Sequence, residues 1–549
     1  MLVAALSIAA VASPAHAVRR DPASPIAEYV RARAADAAGM PELAAVRYSA
    51  VLAVSPDDEV TASRAYRQAI LAGDRALALK SARLLEQKGV LPPDARLLIL
   101  SDAVIRKDWK AAKLLVDRID EDDVFAFMAP AIGAWLAVGA GDSNPLAKLD
   151  KRRGGTLGAA YAGDQRALVL ISIGKPQEAL AAIRAQGLRG DGSSERLRVQ
   201  AAASLLKLGR RADAEAMLAG DDPLLVSARE RIAAGKELGG AVTTPAEGIA
   251  ALLARVAVDV NRERVTPLAL ALARIATFLA PQQVEYRLVT AELLGGVGQY
   301  DAALAAIGEI AKDSPLAQAA RSARVGLLAR KGEKDAALGE ALAATKGSDA
   351  SAGDWARVGD LYVELRRQLE AAAAFGRAIA LAEADKRLQD QLWTLWLQRG
   401  GALEQAGDWK AGKAALEKAL ALAPEQPAVL NYLGYAQLER RQNLPEAERL
   451  IAKASQLRPD DPAITDSLGW VYYLRGDVPK AIETLERAVA GEPSEPTINE
   501  HLGDAYWTAG RRYEARYAWQ AALVYADKED ASRISRKLDT GLTPEVAAP

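Results

Sequence analysis

The chain has 549 residues, 50% of them hydrophobic and 26% charged with only 5% aromatic, a balance that excludes both a disordered polymer and a membrane-embedded bundle. Seventy Lys and Arg against seventy-one Asp and Glu leave a formal charge of -1, which favours neither nucleic acid nor an anionic membrane as partner. No cysteine occurs, so disulfides, thiolate nucleophiles and cysteine-bound metals are excluded, and the only histidines are His16 and His501.

Leu2 to Ala12 is a run of small and apolar side chains, followed by Ser13-Pro14 and by Ala15-His16-Ala17, the small-x-small pattern read by a signal peptidase. The run falls short of the ~20 apolar residues a spanning helix needs. It predicts a signal peptide over residues 1–17 and a periplasmic product starting near Val18. A cytoplasmic product is the alternative, since no Lys or Arg precedes the run.

From Pro25 an α-helical period begins, in blocks of 34 residues starting at 25, 59 and 93. Ala32, Gly39, Ala44, Tyr48 and Pro56 occupy small, turn, small, aromatic and stop positions of the first block. Each block reads as helix, tight turn, helix: small residues where the two helices cross, and Gly or Pro at the ends. The rhythm falters between Ile119 and Ala159. There Asp120-Glu121-Asp122-Asp123 reads as a solvated turn, and Lys151-Arg152-Arg153-Gly154-Gly155 as an exposed basic loop, because no phosphate-cradling glycine pattern accompanies it. Gly239 to Pro245 is the most linker-like stretch. Regular blocks follow at 250, 284, 318 and 352, and about seven extra residues around Asp385 to Gln391 lengthen one helix.

In the last third the period is plainest. Gly400, Gly434, Gly469 and Gly503 lie 34, 35 and 34 residues apart, with Gly412, Ala447, Ala481 and Ala515 at a near-fixed offset and Pro424, Pro459 and Pro493 on the same beat. Five segments are therefore expected: the signal peptide 1–17, a degenerate array 18–238, a middle array 250–383, a well-formed array 393–529 and a disordered tail 538–549.

With Leu468-Gly469-Trp470-Val471-Tyr472-Tyr473, Gly476, Ala481, Leu485, Ala488 and Pro493, the chain resembles the tetratricopeptide repeat (TPR) family at nearly every defining position, and roughly twelve such units would cover most of it. The resemblance implies an all-α, right-handed superhelical solenoid of helical hairpins that holds peptide segments or partner helices in a concave groove. Asp466-Ser467-Leu468-Gly469-Trp470 and Asn499-Glu500-His501-Leu502-Gly503-Asp504-Ala505-Tyr506-Trp507 further resemble exported proteobacterial TPR scaffolds, some of them lipoproteins that present periplasmic proteases. Their lipidated cysteine has no counterpart among these residues.

Carrying over the family's groove positions marks Asn431, Tyr435, Asp466, Trp470, Tyr473, Glu500, Asp504 and Trp507 as a partner-binding surface. Aromatic and acidic side chains alternate along it, which suits a protein segment with apolar anchors and Lys or Arg. No cofactor, metal site, nucleic acid or membrane span is expected. Nor is catalysis, since a triad, a metal cluster or a histidine base needs residues this chain does not bring together in sequence. Ser204-Leu205-Leu206-Lys207 matches S-x-x-K without its companion motifs, and His501 reads as a packing residue. The expected function is a non-enzymatic interaction scaffold in cell-envelope assembly or turnover. Its rivals are a peptidoglycan-binding or pilus and secretion assembly factor, and a carboxylate-pair hydrolase.

Overall fold

The computed structural model describes residues 24–548 except 122–123, 151–154, 186–191, 309, 312–313 and 348–349, and leaves the side chains of residues 156, 157 and 529 aside. The expected signal peptide, Asp122-Asp123 and most of the basic loop fall outside the described residues. Among those described there are 29 α-helices and no strand, and no helix is long and apolar enough to cross a membrane. The fold is an all-α repeat solenoid.

Helices begin at Pro25, Glu59 and Pro93, on the beats of the sequence period, and later at Val284, Ala317 and Ala352, on or one residue from theirs. The starts are encoded locally. Proline stands in the first turn of Pro25–Ala37, Pro93–Ile105, Pro427–Glu439, Pro462–Leu474 and Pro496–Thr508, where its fixed φ suits the helix and its missing N–H costs nothing. Asp461 caps one of them by accepting from the backbone N–H groups of Ala463 and Ile464 at 3.1 and 3.2 Å.

The chain divides into two compact units, Met1–Glu333 and Lys334–Pro549. In the first, early hairpins stack in order, and then the chain does something a linear array does not. The helices Pro245–Arg262 and Thr266–Leu279 turn back onto Glu59–Ala72, Pro93–Ile105 and Ala129–Ala140. Both are buried over most of their surface, with Ile249 to Leu253 and Ala269 to Ala276 at or below 9% exposure. A helix apolar all round needs covering on all sides. Gly248 lets the backbone approach Trp135, since a Cβ there would lie 2.0 Å from the indole. Arg274, itself buried, donates from Nε to the Ile70 carbonyl at 3.0 Å and from Nη2 to that of Leu71 at 2.7 Å, satisfying the C-terminal end of Glu59–Ala72. Burial brings its pKa down to about 10. The linker-like stretch after Gly239 thus lies inside the first unit and is pinned there. Ser204 Oγ accepts from the Val242 N–H at 2.8 Å and donates to the Gln200 carbonyl at 2.7 Å, a structural task for the serine of the S-x-x-K match.

The second unit stacks the hairpins Ala352–Glu364 with Gln368–Glu383, Leu392–Gln405 with Trp409–Leu422, Pro427–Glu439 with Leu444–Leu457, Pro462–Leu474 with Val478–Gly491, and Pro496–Thr508 with Arg512–Tyr525. A last helix, Lys528–Thr540, packs on Arg512–Tyr525. The glycine ladder marks where paired helices cross. A Cβ on Gly400, Gly434, Gly469 or Gly503 would come within 2.7, 2.8, 2.7 or 2.3 Å of Leu416, Ile451, Leu485 or Trp519. Glycine stands there for close approach rather than backbone freedom. The segment 538–549, expected to be disordered, is instead described through residue 548. Lys528–Thr540 runs past Leu538, and Val546 and Ala548 are 4% and 9% exposed.

Candidate interaction groove

The carried-over groove residues lie on the first helices of three successive hairpins, and the second unit separates them into an open and a covered set. Asn431 and Tyr435, one turn apart on Pro427–Glu439, and Asp466 on Pro462–Leu474 line an open pocket of about 450 Å³. Glu404, Tyr432, Glu439, Glu492 and Glu495 complete its polar wall, while Ala436 and Ile498 supply apolar floor. No Lys or Arg is among the lining residues.

Several of these acids are already engaged, Glu495 by the Thr497 N–H at 3.2 Å. Arg440 pairs with Glu404, which also accepts from the Tyr432 hydroxyl at 3.2 Å, and His501 Nδ1 lies 2.9 Å from Asp466 Oδ1. Glu439 is less well served: burial first, then the neighbouring Glu404 charge, raise its pKa above the ordinary carboxylate range, and the Arg440 guanidinium, at 3.8 Å, only partly opposes this. The buried Oδ1 of Asn431 has no hydrogen-bond partner among the described residues. Acceptors and negative charge therefore converge here with few donors to match them.

Of the rest, Trp470, Glu500 and Asp504 are buried and Tyr473 and Trp507 half-buried. Trp470, 2% exposed, is sandwiched between Tyr473 and His501, with ring centroids at 4.5 and 4.0 Å and planes 12° from parallel. Glu500 takes a forked pair of bonds from Arg533 at 2.9 and 2.7 Å and a third from Lys537 at 2.6 Å. Asp504 receives Lys537 Nζ on both oxygens at 2.7 Å, Trp519 Nε1 at 2.9 Å and the Ala548 backbone N–H at 2.9 Å. Trp507 lies beside Trp519, under the Arg512 guanidinium 3.8 Å from its ring. Trp470, Glu500 and Asp504 are thus interior rather than exposed groove walls, and Asp466, though it borders the pocket, is itself only 5% exposed. For Glu500 and Asp504 the reason is the last helix and the segment after it, which bring Arg533, Lys537 and the Ala548 N–H onto them, while Trp470 is covered by its two stacked neighbours and Ala548.

Burial disfavours charge on each of these groups, and the partners decide the outcome. On His501 burial pushes down, but the Asp466 carboxylate outweighs it and holds the imidazole pKa above its ordinary value. On Glu500 burial pushes up, and Arg533 with Lys537 more than reverse it. On Asp504 burial wins over Lys537 and the pKa is raised.

The sequence reading missed Glu404, Tyr432, Glu439, Glu492 and Glu495. One signal was available: Asn431, Tyr435 and Glu439 recur every four residues, so the face that carries the first two carries the third. Glu492 and Glu495 come from the connection ahead of the next hairpin, which a helix-position rule does not address.

Three stretches match family models described as tetratricopeptide or TPR repeats, residues 288–354, 393–438 and 469–510. Among solved structures, a tetratricopeptide repeat protein from Parabacteroides merdae is 16% identical over 48% of this chain and 100% of that one, with a TM-score of 0.39. A TPR protein of Thermus thermophilus is 21% identical over 35% and 98%, with a TM-score of 0.30. A chain of the APC/C hetero-tetramer Cut9-Hcn1 is 15% identical over 95% and 97%, with a TM-score of 0.39. No curated protein matches the chain in sequence. With repeats matched in three separate stretches and helical hairpins stacked on the same beat, the chain carries tetratricopeptide repeats.

Proposed function

We propose that this protein is an interaction scaffold whose C-terminal unit takes a partner segment, extended or helical, seating a Lys or Arg in the pocket of Asn431, Tyr435 and Asp466 and an apolar side chain beside it. The observation that carries the reading is the charge of that pocket: five carboxylates, Glu404, Glu439, Asp466, Glu492 and Glu495, and no basic lining residue. A cation entering it gains the Asn431 carbonyl oxygen and a half-buried carboxylate, Glu439, whose charge partner Arg440 stands 3.8 Å away. A partner's terminal carboxylate would meet repulsion instead. Tyr473 and Trp507 border the covered end and offer apolar surface to the flanking residues. The export pattern of Leu2 to Ala17 supports a place in cell-envelope assembly or turnover, which N-terminal sequencing of the mature protein tests directly.

Panning a random peptide library on the full-length protein tests the binding reading. Selected sequences are expected to be enriched in Lys or Arg next to aliphatic residues, and Glu439→Gln with Glu492→Lys should weaken them by about tenfold or more, the worth of one partly buried charge pair. Binders without basic residues, or binders indifferent to the double substitution, would refute it.

A further inference from the structure

The helix Lys528–Thr540 ends at Gly541, whose φ of 82° reverses the chain and whose missing Cβ clears Trp507, since that atom would lie 2.1 Å from the indole. From there the backbone runs back over the array it has just capped. Leu542 packs with Trp507, Trp519 and Leu538. A short turn follows, closed by the Val546 N–H donating to the Thr543 carbonyl at 3.1 Å and the Thr543 hydroxyl to Glu545 at 2.6 Å. Across the turn and just after it, Val546 and Ala548 are buried and Glu545 and Ala547 exposed. The two buried side chains face the array and the two exposed ones face away from it. Ala548 joins the buried cluster of Trp470, Val471 and Ile451, with Tyr435 and Tyr473 packed at its edge, and its N–H donates to Asp504. A main-chain donor on a wall carboxylate and small apolar side chains on stacked aromatics are how a groove holds a peptide.

We infer that residues 541–548 are an intramolecular ligand of the groove, occupying its aromatic end while leaving the acidic pocket open, so that a partner filling both must displace them. The same geometry describes what fits the aromatic end: a short turn-forming stretch that presents small apolar side chains, as Val546 and Ala548 do, and a free N–H for Asp504. The competition rests on the binding reading above; the docking of the tail does not. No residue of 541–548 lines the acidic pocket, so a basic anchor can enter first and the tail be exchanged afterwards.

The test uses the full chain. Because it has no cysteine, Ala547→Cys at an exposed position takes a single nitroxide label. The label should be immobile in the otherwise wild-type chain and mobile when Val546→Asp and Ala548→Asp are added. A synthetic peptide of residues 540–548 should release the labelled tail at millimolar concentration, the scale set by a short tether's effective concentration, whereas a scrambled peptide should not. Peptides from the panning that span both ends should bind the tail-released variant about tenfold or more tightly than the wild type. A label already mobile in the wild-type background, or one that ten-millimolar tail peptide leaves fixed, overturns the docking. Equal affinity of wild type and released variant for spanning peptides overturns the competition alone. Concentration-dependent dimers that dissociate on tail release would assign the tail to a second copy and overturn the intramolecular form. A failed panning with an immobile, displaceable label would remove the basic-anchor reading and leave the docked tail standing.

Discussion

Replacing Lys537 by Met puts the capping network to its sharpest test. Lys537 and Asp504 are both fully buried, and the ammonium lies 2.7 Å from each Asp504 oxygen and 2.6 Å from Glu500. Three acids, Asp466, Glu500 and Asp504, are balanced here by His501, Arg533 and Lys537. With Lys537 gone, Glu500 keeps its fork from Arg533 and Asp466 keeps His501, but Asp504 is left with two neutral donors, Trp519 Nε1 and the Ala548 N–H. Stranding one member of a buried pair costs about 3–5 kcal/mol. The lower end is expected, because Asp504, its pKa already raised by burial, can take up a proton. In a solenoid, stability is coupled mainly between neighbours, so the loss should be local. Hydrogen exchange should therefore quicken in Pro496–Thr508, Arg512–Tyr525 and Lys528–Thr540, and hardly change in Ala352–Glu364. Adding Asp504→Asn should recover part of the loss, roughly 1–2 kcal/mol, because no charge is then stranded. A loss below about 1 kcal/mol, or a double variant no more stable than Lys537→Met alone, would refute the reasoning.

Three further outcomes follow from the packing. Gly503→Ala should destabilise the last hairpin by about 1–3 kcal/mol, since its Cβ would meet Trp519 at 2.3 Å, and urea unfolding followed by tryptophan fluorescence measures it; a neutral result would mean the crossing relaxes freely. Arg274→Met should cost the first unit about 1–3 kcal/mol by stranding the Leu71 carbonyl and leaving that of Ile70 with its 3.3 Å bond from the Gly73 N–H, with faster exchange at the end of Glu59–Ala72; unchanged exchange there would deny Arg274 its capping role. The pH dependence has a definite sign at His501. Its folded pKa is raised, so its pairing with Asp466 contributes fully below about pH 6.5 and is lost as pH rises through the folded value. An NMR titration in which the imidazole lost its proton below 6.5 would contradict this.

What the sequence determined by itself was everything that recurs. The beat of 34 and 35 residues placed hairpins beginning at 25, 59 and 93, and the ladder from Gly400 to Gly503 marked the helix crossings, because each rests on contacts within one repeat that every copy must restate. Tertiary structure alone decided what happens once. The helices Pro245–Arg262 and Thr266–Leu279 carry the same alanines and leucines as any repeat, yet they turn back onto helices up to about two hundred residues earlier, as Gly248 against Trp135 and Arg274 on the Ile70 carbonyl show. Asp466, Trp470, Glu500 and Asp504 sit at groove positions, and all four are buried: Asp466 and Trp470 against His501, and Glu500 and Asp504 under two cations and a backbone donor brought by the last helix and residues 541–548. A helix-position rule says which way a side chain points; it carries no term for what the end of the chain lays on top.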